Sequence, residues 1–141
     1  MFKRAIKDAI KAVWPEYPVS IEAVRQNMNG PHFVILDTGV NHNTRFHDAQ
    51  EVRCNYAVYY YPPKNEKRED IIKLGFALCQ ALELIQYEGL GYWAQKREQT
   101  IVDHVLIVTV SYIYRYRFIE DVELMETLQH SISMGDEKDG K

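Results

Sequence analysis

The side chains best able to do chemistry in this sequence are five histidines, His32, His42, His47, His104 and His130, and two cysteines, Cys54 and Cys79. The nearest approach to a metal site is HNTRFHD, where His42, His47 and Asp48 lie close together. A helical zinc pair needs two histidines one turn apart on one face, and the wider spacing here, in a turn-prone segment, preorganises no ligands. His32 and His104 flank expected strands and read as hydrogen-bonded residues at the edge of a core. Ser20, Ser111, Ser131 and Ser133 have no G-x-S-x-G context, and neither cysteine has an adjacent histidine and backbone elbow to activate it. The cysteines form no C-x-x-C pair and read as reduced thiols of a cytosolic protein. Paired carboxylates occur at Glu69 and Asp70, Glu120 and Asp121, and Glu123 and Glu126, all where solvent-facing charge is expected rather than across a cleft. GLGYW has two glycines but no third leading into a helix, which excludes the dinucleotide fingerprint and the phosphate-binding loop. The expectation is a protein that is not an enzyme and takes no cofactor, metal or small-molecule substrate.

The unusual feature is tyrosine, ten residues in a chain of 141. Tyr56, Tyr59, Tyr60 and Tyr61 cluster at the end of one expected strand, and Tyr112, Tyr114 and Tyr116 on another. Tyrosine offers wide contact area with a polar tip and little entropy to lose, so it is enriched at protein interfaces. Cross-strand pairs that cover the sheet and fill the core account for it equally well. Arg115 and Arg117 alternate with the second cluster. Such a strip can hold single-stranded nucleic acid, but a formal net charge of −3 and the lack of further basic residues nearby argue against direct nucleic-acid binding.

The elements that must position these residues follow from apolar period. Phe2, Ile6, Ala9, Ile10 and Val13 repeat as one helical face, with Lys3, Lys7 and Lys11 on the opposite side facing water, and Pro15 and Pro18 end the helix. Residues 19–24 read as a short edge strand, and Asn29, Gly30 and Pro31 as a turn into the strand PHFVILDTG. Residues 38–49 favour a turn or extended loop. A long strand follows over 50–61, with Val52, Cys54, Tyr56, Val58 and Tyr60 directed to the core. Glu69 and Asp70 suit the start of a helix, whose stripe is Ile71, Leu74, Leu78, Ala81, Leu82 and Ile85. A shorter strand over 92–96 and a hairpin connection over 98–103 lead to a last strand over 104–118. Its first half is apolar on both faces, which predicts a central strand covered on both sides.

This order predicts an α+β fold, an antiparallel or mixed β-sheet with two main helices packed on one face. Residues 1–119 form a single α+β domain on this reading, 120–130 a C-terminal helix or arm, and 131–141 a polar tail expected to be disordered. With 46% hydrophobic residues the chain can fill one core. No secretory signal is read in the first residues, and no apolar stretch reaches membrane-spanning length, so a soluble protein without membrane contact is expected.

The segment YPVSIEAVRQNMNGPHFVIL resembles the N-terminal signature of the tail terminator family of phages and prophages of Gram-positive bacteria. Tyr17, Pro18, Val19, Glu22, Val24, Pro31, Phe33 and Ile35 match it in order. YYYPP before an acidic amphipathic helix is similar to the family's central part, and IVDHVLIVTVSYIYRYR to its last long strand. The resemblance covers roughly residues 1–125. Its motifs are hydrophobic and diffuse, and their order carries the likeness. It implies a homohexameric ring at the head-proximal end of the tail, in contact with the tail tube protein and a head connector protein. The ring would stop tube polymerisation and present a head-joining surface. The HNTRFHD loop and the longer charged C-terminus depart from the family pattern. On this basis Tyr59, Tyr61, Arg115 and Arg117, with Val122 and Met125 in a possible arm, are expected at the ring interface. His42, Arg45, Phe46 and His47 are expected to touch tube or connector. A head-tail joining protein and a monomeric ligand- or peptide-binding module are the alternative readings.

Overall fold

A computed structural model describes residues 1–21, 30–46 and 49–117. Nine elements follow in order: α1 (Lys3–Val13), β1 (Val19–Ser20), β2 (His32–Phe46), β3 (Ala49–Tyr61), α2 (Arg68–Ala81), β4 (Leu84–Tyr87), β5 (Leu90–Trp93), β6 (Lys96–Val102) and β7 (Val105–Arg117). Five strands make one sheet in the order β1-β2-β3-β7-β6, and β4 and β5 form a separate hairpin. β1 runs parallel to β2, with Val19 opposite Phe33, whereas β6 and β7 are antiparallel from Lys96 opposite Ser111 to Val102 opposite Val105. The expected class, helices on a mixed sheet, is what the chain adopts.

The chain divides into two compact units, one made of Met1–Gly39 with Asn55–Tyr112 and the other of Val40–Cys54 with Ile113–Lys141. The core of the first unit is aromatic. Phe2 is fully buried, with ring centroids 4.8 Å from Tyr92, 5.1 Å from Tyr87, 5.7 Å from Tyr112 and 6.4 Å from Tyr56. Its backbone N–H, one of the orphan donors at the start of α1, donates to Tyr56 Oη at 3.0 Å. A second cluster joins Phe33 to Trp14, Tyr17 and Tyr60. The side chains of Ile6, Ile10, Ile71, Leu78, Leu82, Leu106 and Val108 are fully buried as well. Each such aliphatic side chain contributes roughly 1.5–3 kcal/mol on leaving water.

All five residues of β3 expected in the core are buried. Several other expectations are corrected. Residues 38–46 are strand rather than loop: β2 runs on to Phe46, and only two residues separate it from β3. β2 and β3 are hydrogen-bonded neighbours in the sheet, and ladder hydrogen bonds hold a strand whose side chains are largely polar. Residues 98–102 lie in β6, not in a connection. The turn is Asp103 and His104 alone, both at positive φ, 51° and 68°, the conformation that two-residue hairpin turns require. α2 stops at Ala81, so Ile85 is buried from β4 instead of from the helix. Val13 is exposed, and the lysines of α1 do not simply face water. Lys3 Nζ donates to Ile21 O at 3.1 Å, and Lys11 Nζ to Pro15 O and Tyr17 O at 3.1 and 2.9 Å, tying the helix to the chain that follows it. β7 buries one face only in its first half: Leu106, Val108 and Val110 are covered, while Thr109 is exposed and Val105 and Ile107 are half-buried.

Candidate interaction surfaces

The side chains of β3 alternate, so Tyr59 and Tyr61 leave the sheet opposite Tyr56, Val58 and Tyr60. Tyr61 stacks almost parallel on His32, with centroids 4.8 Å apart and planes 11° from parallel, and Tyr59 stacks on Tyr61 at 6.3 Å and 17°. His32 is buried and its Nδ1 lies 3.1 Å from Gly30 O. The result is a row of three flat rings on the first unit, closed at the histidine end and half-exposed at the two tyrosines. Tyr60, on the other side, is buried and donates to Glu66 Oε1 at 2.9 Å. Burial first and the adjacent Glu66 second hold its phenol well above the ordinary tyrosine range.

In the second unit the three adjacent strands β2, β3 and β7 contribute Arg45, Glu51 and Arg115. Glu51 Oε1 lies 3.1 Å from Arg45 Nη1 and 3.8 Å from Arg115 Nε. The carboxylate side chain is only 9% exposed, against 58% and 65% for the arginines that flank it. Oε1 is buried and accepts no hydrogen bond, since Arg45 is close but not aligned with it and Arg115 lies beyond hydrogen-bond distance, so both contacts are charge interactions. The sequence places Arg45 and Arg115 in different contacts, and the structure brings them to one carboxylate. Glu51 is the residue that reading missed. The available signal was an acidic residue on a strand of alternating polarity whose neighbours bear arginine.

A third surface lies on the β4–β5 hairpin. Its turn is Glu88 and Gly89, both at positive φ, and Leu84 stands opposite Trp93. Ile85 is buried, and Tyr87 and Tyr92 pack on Phe2, which turns Leu84 and Trp93 outward; Trp93 is 60% exposed. On α2, Phe76 is likewise exposed and borders a groove of about 320 Å³ shared with Cys79, Gln80, Glu83, Arg97 and Gln99. Arg97 Nη1 donates to Cys79 O at 2.6 Å, which fastens β6 to the helix. Burial raises the Cys79 pKa, partly offset by Arg97, so the thiol is a poor nucleophile at neutral pH. Among the described residues no group of three His, Cys, Asp or Glu side chains could hold a metal ion.

Of the other residues singled out from sequence, His42 is exposed on β2, and Phe46 and Arg117 are the last residues of β2 and β7. His47, Val122 and Met125, with the expected arm and tail, lie outside the described residues, as do 22–24 of the expected edge strand.

A family model described as phage tail terminator protein matches residues 1–124. The chain belongs to the phage tail terminator family. The match spans all nine elements, and with it comes a structural role in the phage tail. Among curated proteins none matches this terminator. A solved structure similar to it aligns at a TM-score of 0.44 and 15% identity, over 85% of this chain and 92% of that one, too distant a likeness to bear on function. Among the described residues of the terminator, no helix is long and apolar enough to cross a membrane.

Proposed function

We propose that this terminator caps the tail tube at its head-proximal end as a homo-oligomeric ring, six subunits in the form implied by the family resemblance. The ring stops tube polymerisation and presents a surface that joins the head connector protein, and assembly takes place in the cytoplasm of the bacterial host. The observation that carries this reading is the family match over residues 1–124. The half-exposed stack of Tyr59 and Tyr61 and the exposed Leu84, Trp93 and Phe76 support it, because rigid aromatic and apolar groups left on a surface are what interfaces use. A closed ring needs a head-to-tail interface, so two different patches of each subunit must be complementary. Capping then requires no chemistry: the face that meets the tube binds it, and the far face no longer accepts a tube subunit.

The test is solution mass by light scattering coupled to size-exclusion chromatography, over a range of concentrations, with and without purified tube protein. A discrete closed oligomer, alone or only with tube, is the expected result. A persistent monomer that ignores the tube overturns it, and binding to the head connector without any binding to tube would replace it with a head-tail joining role.

A further inference from the structure

The described residues of unit 2 carry a marked excess of positive charge. They include Arg45, Arg53, Arg115 and Arg117 against one carboxylate, Glu51. Glu51 already lies between Arg45 and Arg115 and is nearly buried, while both guanidiniums stay more than half exposed. One sheltered negative charge cannot neutralise two exposed positive ones. The planar guanidinium forks keep donors available to further carboxylates, the anion they match best. The counter-charge lies in the same sequence. Residues 118–141 carry seven acidic side chains against two lysines, an excess larger than the net charge of the whole chain. Four of them, Glu120, Asp121, Glu123 and Glu126, come within nine residues of Arg117.

We infer that this arginine-bearing sheet surface is the docking site for the acidic segment 120–126 of a neighbouring copy. The inference rests on the self-assembling reading above and specifies its two complementary patches. Where the segment begins favours docking between copies over docking within one. It starts directly after β7, the strand that carries Arg115, and reaching its own chain's arginines requires an immediate reversal. A tight turn takes four residues and favours Gly, Asn, Pro, Asp or Ser, and of these 118–126 contains only Asp121. The pairing is head-to-tail by construction, since segment and surface are different parts of one subunit.

Charge exchange in the full chain tests it. One variant reverses the surface, Arg45→Glu with Arg115→Glu; a second reverses the segment, Glu120→Lys, Asp121→Lys, Glu123→Lys and Glu126→Lys; a third carries both sets. Under conditions where the parent chain assembles, alone or on tube protein, each of the first two is expected to lose association by about tenfold or more. Mixing them restores it, because every contact then pairs opposite charges. If both assemble like the parent, the docking site is wrong while the ring stands. If mixing fails but the third variant assembles, the segment docks on its own chain, and that overturns the pairing between copies. If neither restores assembly, the charge pairing itself is wrong. A parent chain that never assembles brings down the ring reading and this one with it. Should reversal beside Glu51 impair folding, Arg115→Gln and a salt titration of the parent decide: association that does not weaken between about 0.05 and 0.5 M salt overturns the inference.

Discussion

Tyr112 and Tyr60 are both buried phenols, yet they are expected to respond differently to loss of the hydroxyl. Tyr112 Oη donates to Leu82 O at 2.6 Å in the interior, satisfying a carbonyl at the C-terminal end of α2. Tyr112→Phe leaves that carbonyl buried without a donor, which costs about 1–3 kcal/mol. Tyr60 donates to Glu66, a half-buried side chain that water can reach, so Tyr60→Phe is expected to cost about 1 kcal/mol or less. Urea unfolding of the two variants checks the order. The same phenols make stability fall at high pH. Burial raises Tyr112 and Tyr60 far above their unfolded value of about 10, and Tyr116 upward as well. The folded state therefore keeps protons that the unfolded state releases. Their contribution is intact below about pH 10 and declines as pH rises beyond it, for Tyr112 by up to about 1.4 kcal/mol per pH unit. Unfolding midpoints followed between about pH 9 and 11.5 are expected to drop, and more shallowly in Tyr112→Phe.

At the scale of elements, the packing of α2 on β6 turns on Gly75. A Cβ at this position would collide with the side-chain amide of Gln99, whose Nε2 donates to Ile72 O at 3.4 Å and whose Oε1 accepts from Cys79 Sγ at 3.7 Å. Alanine is preferred over glycine in a helix interior by about 1 kcal/mol. Gly75→Ala in the parent chain is expected to forfeit that gain by displacing Gln99, and in a Gln99→Ala background to realise it. A double-mutant cycle from unfolding measurements decides, and equal effects in the two backgrounds would remove the packing explanation. The helices and β3 were readable because their apolar residues recur at the period of the element that buries them. The β4–β5 hairpin was not, since its alternation was absorbed into the end of the α2 stripe at Ile85. Residues 38–46 were not readable either: a strand held by ladder hydrogen bonds rather than by an apolar face leaves little periodic trace.

For the whole molecule, the expected ring makes Tyr59 a separating probe. It is half-exposed and touches Tyr61 only from the outer side, so Tyr59→Ala is expected to shift unfolding by no more than about 1 kcal/mol. If the tyrosine row is buried between subunits, the same change weakens oligomer formation well beyond that, as sedimentation at graded concentrations would reveal. An unchanged association constant would take Tyr59 out of the interface. What the sequence determined by itself was the class of fold, the helices, the core face of β3 and the order of motifs that places the chain among tail terminators. These are properties of local period and of residue order. Only the tertiary structure decided that Tyr61 stacks on His32 and Tyr59 on Tyr61, and that Arg45 and Arg115 meet at Glu51. Such contacts join strands far apart along the chain, and neighbours in a sheet are set by topology and register, which no local pattern of side chains encodes.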